Sequence, residues 1–124
     1  DFVGAANTFE ASLATPVAAG EKAHVQLAGT PLAGLAHQAL GAGKVTVIAR
    51  GEMLAMLGDD APGPNQIRGV VRRRQYLGAV TVYLVELEGG GHLHVKADGA
   101  HVARSVGERL RVQFDAETTL VVAS

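Results

Sequence analysis

The chain has 124 residues, of which 48% are hydrophobic, and a net charge of −1. That is enough for one compact domain with a core, while no apolar run approaches the roughly 20 residues a membrane-spanning helix needs. The near-neutral charge sets up no field that draws the whole molecule to nucleic acid or an anionic bilayer, five aromatics make a poor base-stacking platform, and the absence of cysteine excludes a disulfide framework or thiolate metal site.

Asp1, with neither a start methionine nor a leader-like basic and apolar segment, suggests an excised fragment or a processed product. Phe9, Ala11 and Leu13 then alternate with polar residues, the period of a half-buried strand. That strand, Thr8 to Thr15, is a candidate to pair outside its own half. Lys22 to Leu27 alternates in the same way and stops near Gly29. Pro31 to Leu40 places Leu32, Leu35 and Ala39 near one helical face, although Gly34 weakens a helix. Lys44 to Arg50 is rich in β-branched residues. Asp59-Asp60-Ala61-Pro62-Gly63-Pro64-Asn65 is a breaker cluster between two similar halves, about 1–60 and 66–124. Ile67 to Leu77 is a long strand with a charged stretch. Val80 to Leu87 is apolar on both faces, as expected of an interior strand. Gly89-Gly90-Gly91 leads into His92-Leu93-His94-Val95. Gly99 to Val106 is a second candidate helical turn. Arg109 to Phe114 alternates, and Thr119 to Ala123 closes the chain. Laying the first half on the second puts Val45, Val47, Ala49 and Glu52 on Leu110, Val112, Phe114 and Glu117, the pattern of a duplicated unit, although any two glycine-bounded strands would align as well. The expected fold is all-β, two small barrel-like halves packed together.

Little in the chain looks catalytic. A P-loop needs Gly-x-x-x-x-Gly-Lys-Ser/Thr, and Gly41-Ala42-Gly43-Lys44 runs into Val45 without that spacing. Ser12, Ser105 and Ser124 have no nucleophile-elbow context, and Glu86 and Glu88 read as strand surface. Two groups remain as binding candidates. His92 and His94, two apart on a strand, point to one face and offer two metal ligands, with His101 and Asp98 to add; closed sites want about four, and the plainer reading is a solvent face. Arg68, Arg72, Arg73 and Arg74 form a basic cluster. In a regular strand Arg72 and Arg74 share a face and suit an oxyanion; the plainer reading is a charged edge that discourages strand addition.

Three stretches carry a family resemblance: Phe2-Val3-Gly4-Ala5-Ala6-Asn7, then Val45-Thr46-Val47-Ile48-Ala49-Arg50-Gly51-Glu52, and the run from Tyr76-Leu77-Gly78 through Val106-Gly107-Glu108 to Phe114-Asp115-Ala116-Glu117 and Val122. In this order they resemble the TOBE domain that follows the ATPase domain in ABC importers, closest to the spermidine/putrescine, iron or anion branch. Ala49, Gly51 and Phe114 depart from that family's usual Ile, Pro and Trp. The resemblance implies OB-like barrels and a non-catalytic accessory or regulatory domain of an ATP-binding subunit. It also implies a cytoplasmic place at the inner membrane, a second copy of the subunit as partner, and permease subunits reached through the ATPase domain. No cofactor is expected in this chain; ATP and Mg²⁺ would belong to the full-length subunit. A small-oxyanion-binding barrel is the alternative, and a nucleic-acid-binding barrel a further one, although no nucleic-acid partner is expected. Purified protein is expected to hydrolyse no ATP; metal-dependent hydrolysis abolished by Lys44→Ala would contradict this.

Overall fold

The structure, a computed structural model, describes residues 6–99 and 101–124. Ten strands account for its regular structure apart from one 3₁₀ turn at Gly51–Met53: β1 Ala6–Leu13, β2 Lys22–Leu27, β3 Thr30–Ala36, β4 Gly43–Arg50, β5 Ala55–Gly58, β6 Gln66–Leu77, β7 Val80–Leu87, β8 His92–Asp98, β9 Arg109–Gln113 and β10 Leu120–Ala123. Period-two patterning drives them. Ala23, Val25 and Leu27 of β2 are buried while Lys22, His24 and Gln26 are exposed, and β8 buries Leu93, Val95 and Ala97. The all-β expectation holds.

The strands form a closed barrel, β1-β2-β3-β10-β4, and a five-stranded sheet, β5-β9-β6-β7-β8. The two follow one plan. Replacing β1, β2, β3, β4 and β10 by β6, β7, β8, β9 and β5 turns the barrel order into the sheet order. In the barrel, β10 closes the ring, running parallel to β3 and antiparallel to β4; the amides of Leu35 and His37 donate to the carbonyls of Thr119 and Val121 at 2.8 and 3.1 Å. In the sheet, β5 pairs only with β9 and the seam to β8 stays open. Arg104, from the loop after β8, occupies that seam, its Nη2 donating to the Met56 carbonyl at 2.9 Å. β5 and β10 each belong by sequence to one half and by pairing to the other. A continuous core runs through both sheets, from Val47, Val25 and Val121 to Tyr83, Val85 and Val112.

Several expectations change. Pro31 to Leu40 begins as strand β3, not a helical turn. A two-residue hairpin with left-handed Ala28 (φ 50°) and Gly29 (φ 82°) ties Leu27 to Thr30, a turn whose twist matches the strands it joins, and Gly34 is needed where β3 meets β10. Gly99 to Val106 is loop wherever it is described, without a helical turn. The first strand pairs with β2 and β4 inside its own barrel; the strands that cross are β5 and β10. Phe2 to Ala5 lie outside the described residues. β7 is an interior strand between β6 and β8, as its two apolar faces require.

Gly34 sits at the closing seam. A Cβ there would stand 2.8 Å from the Thr119 carbonyl oxygen and 2.9 Å from a Val121 methyl. Backbone cannot yield as a flexible side chain does, so Gly34→Ala is expected to cost about 1–3 kcal/mol, the range for overpacking. A lowered urea midpoint with unchanged m-value checks this.

Candidate binding groove at the junction of the two sheets

Two asparagines join the halves in the same way. Asn7, at the start of β1, donates through Nδ2 to the Ala49 carbonyl at 3.1 Å and the His94 carbonyl at 2.9 Å, and its Oδ1 accepts from the His94 amide at 2.8 Å. Asn65, just before β6, donates to the Phe114 carbonyl at 2.8 Å and the Ala33 carbonyl at 3.1 Å, and accepts from the Ala33 amide at 2.6 Å. Each carboxamide binds the end of a strand in its own half and both backbone groups of one residue in the other half, on β8 and β3 respectively. Asn supplies a donor pair and an acceptor on one short planar group. Asn65 adopts φ 61°, a left-handed conformation that Asn tolerates better than most residues.

Beside the Asn65 clasp lies a groove of about 790 Å³. Its walls are the outward face of β2, with Lys22 and His24, the start of β3, and the stretch from Gln113 to Ala116. His24 sits across from Ala33 in the β2–β3 ladder, and Lys22 across from Leu35, so both side chains stand beside the clasped strand. The carboxylate in the wall, Asp115, turns to its own loop and accepts from the Glu117 amide at 2.9 Å. The groove thus offers the Lys22 ammonium and the His24 imidazole above an apolar floor that includes Pro31, Leu32 and Phe114.

The basic cluster is arranged differently. Val71 pairs with Val85 and Arg73 with Leu84, so a bulge at Arg72 interrupts β6. One inserted residue reverses the alternation beyond it. Arg72 therefore lies on the outer face, with Nε 2.7 Å from Glu86 Oε1, and Arg73 lies on that face too. Arg74 points to the other side, where Nη1 donates to the Arg104 carbonyl at 3.0 Å and the guanidinium stands 5.5 Å from the Tyr76 ring centroid. Arg72 and Arg74 do not share a face. Arg68 pairs with Asp59 at 3.1 Å beside a smaller pocket of about 300 Å³ that mixes Arg68 and Arg109 with Asp59, Glu86 and Glu88. Exposed pairs of this kind contribute about 0–1 kcal/mol each.

His92 and His94 share the outer face of β8, His92 exposed and His94 half-buried. His101 is elsewhere. Its Nε2 accepts from the Tyr83 hydroxyl at 2.7 Å, its Nδ1 meets the Asp98 carbonyl, and the same hydroxyl accepts from the Arg104 amide at 3.1 Å. Among the described residues no three His, Cys, Asp or Glu side chains are grouped to hold a metal ion. Sequence reasoning missed Lys22, His24 and both clasps. The signal was present: each half opens its first strand with Asn, a polar residue and an apolar one, Asn7-Thr8-Phe9 and Asn65-Gln66-Ile67.

Comparison with protein families matches residues 44–122 to the TOBE domain. Among solved structures, the cytoplasmic molybdate-binding protein ModG, crystallised with molybdate bound, superposes with a TM-score of 0.78 over 95% of this chain and 96% of that one, at 16% identity. That likeness is one of fold. Comparison with curated protein sequences gives no match.

Two outcomes test the junction. Asn7→Ala leaves the His94 amide and carbonyl without their partner and is expected to destabilise the fold by about 1–3 kcal/mol, read from urea unfolding; Asn65→Ala should do the same at Ala33. The second concerns pH. Burial first, then Arg73, then His92 hold the His94 pKa below its ordinary value of 6.5. The unfolded chain then binds the proton more readily, so His94 supports the fold fully above that value and loses its support as pH falls below it. His94→Gln should flatten the decline of the urea midpoint on that acid side.

Proposed function

This chain belongs to the TOBE domain family, and from that premise we propose that it is a non-catalytic accessory domain of an ABC importer's ATP-binding subunit that senses a small tetrahedral oxyanion of the molybdate, tungstate or sulfate class. The reading rests on the groove beside Asn65. Lys22 and His24 overhang it, its one carboxylate is turned away, and the clasp fixes the strand beneath. Small-molecule sites take this form, mostly apolar with a few placed polar groups. The fold likeness to a protein solved with molybdate bound supports the choice of ligand. In this reading ATP, Mg²⁺ and contact with the permease belong to an ATPase domain joined to this one, a second copy of the subunit is the main partner, and the module works on the cytoplasmic side of the membrane.

The groove is preferred to Arg72 and Arg74 because those side chains are already engaged on opposite faces. Titration calorimetry with molybdate, tungstate, sulfate and phosphate tests the reading. At a concentration 100 times its Kd, a bound anion should stabilise the fold by about 2.7 kcal/mol. Lys22→Ala/His24→Ala should remove most of that gain without lowering the stability of the free protein. If no oxyanion shifts the unfolding midpoint, or if the double variant responds as the wild type does, the oxyanion reading fails. An ATPase domain preceding this module in the full-length protein would support the subunit context.

A further inference from the structure

The two sheets follow one plan, yet they differ at one edge. In the barrel, β4 pairs with β1 along its whole length, from Ala6 with Arg50 to Leu13 with Gly43. In the sheet, β9 pairs with β6 only from Gln66 to Val70. Val71 is the last residue met, its amide donating to the Glu108 carbonyl and its carbonyl accepting from the Gly107 amide. The chain turns away there through Gly107, whose φ of +90° is open to glycine. Arg73 to Leu77 still pair with β7 on one side, with Arg72 bulged out of the ladder, and among the described residues the other side stays open.

Which backbone groups face the opening follows from the hairpin. The two-residue turn Gly78-Ala79 closes on the Leu77–Val80 pair, which directs the N–H and C=O of Leu77, Gln75 and Arg73 toward β7. Those of Arg74 and Tyr76 point out, and among the described residues nothing bonds to them. Around this edge stand three arginines and an apolar margin: Tyr76 is 67% exposed and Val106, next to Gly107, 61%. Among the described residues Arg73 forms no ion pair.

We propose that the open edge of β6 over Arg72–Leu77 takes an extended, acidic segment of a partner protein as an added strand. Strand addition supplies affinity through backbone hydrogen bonds and specificity through alternate side chains. The charge selects the partner. A second copy of this chain would set arginine against arginine, the like-charge pairing that protects edges from self-association. An acidic strand meets the guanidinium of Arg73 on one face, where Arg72 is held by Glu86, and its apolar residues on the other meet Tyr76 and Val106. The bulge at Arg72 makes this division, turning Arg73 to one side and the aromatic margin to the other.

The test uses a fluorescein-labelled short peptide alternating Glu and Val, followed by anisotropy and by amide hydrogen exchange of the isotope-labelled protein. Binding should come with new protection at Arg74 and Tyr76. Arg73→Glu should weaken it by about tenfold or more, and Tyr76→Ala should weaken it with unchanged salt dependence. A Lys/Val peptide and a proline-interrupted Glu/Val peptide should not bind. The idea is overturned if the proline-interrupted peptide or a single-stranded oligonucleotide binds as tightly as the Glu/Val strand, since the surface would then be a general anion attractor. It is equally overturned if the amides of Arg74 and Tyr76 gain no protection, or if the protein alone at high concentration protects them by self-pairing. The oxyanion titration at the groove is independent of each of these outcomes.

Discussion

Two carboxamides hold this architecture together. A strand edge presents amides and carbonyls that must be bonded or hydrated, and Asn7 and Asn65 each cap one residue of such an edge in the opposite half while anchoring themselves to a strand end in their own. A single planar group that donates twice and accepts once is able to do this at short range; an alcohol has too few hydrogens and a carboxylate none to give. The exchange of β5 and β10 between the sheets adds a second tie of the same sense, and the shared core follows from both.

The groove is a consequence of that joint. Its floor is the strand clasped by Asn65, its basic wall the outward face of β2, and its far wall the segment from Gln113, the last residue of β9, to Ala116. Lys22 and His24 therefore sit on a strand paired with the clasped one, an arrangement that would keep donors in place without a further ordering cost. The arginine cluster, which looks more like an anion site on charge alone, is divided between ion pairing with Glu86 and contacts to Arg104 and Tyr76.

The two halves share a plan and differ where the second loop is longer. Between β3 and β4 the chain is short, and β10 fills the seam. Between β8 and β9 the loop carries Arg104, which takes the Met56 carbonyl in the seam, pairs with Glu108 at 2.9 Å and receives support from Tyr83 at its amide. The result is an open barrel with a plugged seam and a β6 edge that β9 does not cover. The two halves thus differ in one loop and one edge, while the strand plan and the clasps are alike.

The sequence by itself determined the strand content, the interior position of β7 and the similarity of the two halves, because alternation of apolar and polar residues is a local consequence of burying one face. It also carried the family resemblance. It misled at Pro31 to Leu40, where near-helical spacing of leucines competed with a hairpin whose left-handed Ala28 has no compositional signature, and at Arg72 and Arg74, where regular alternation was assumed. Only the tertiary structure decided the bulge at Arg72, the exchange of β5 and β10, the role of Asn7 and Asn65 and the meeting of Lys22 and His24 with the segment after β9. Each depends on which strand lies beside which. Pairing between residues far apart in the chain leaves no periodic trace, and one inserted residue reverses every side chain beyond it.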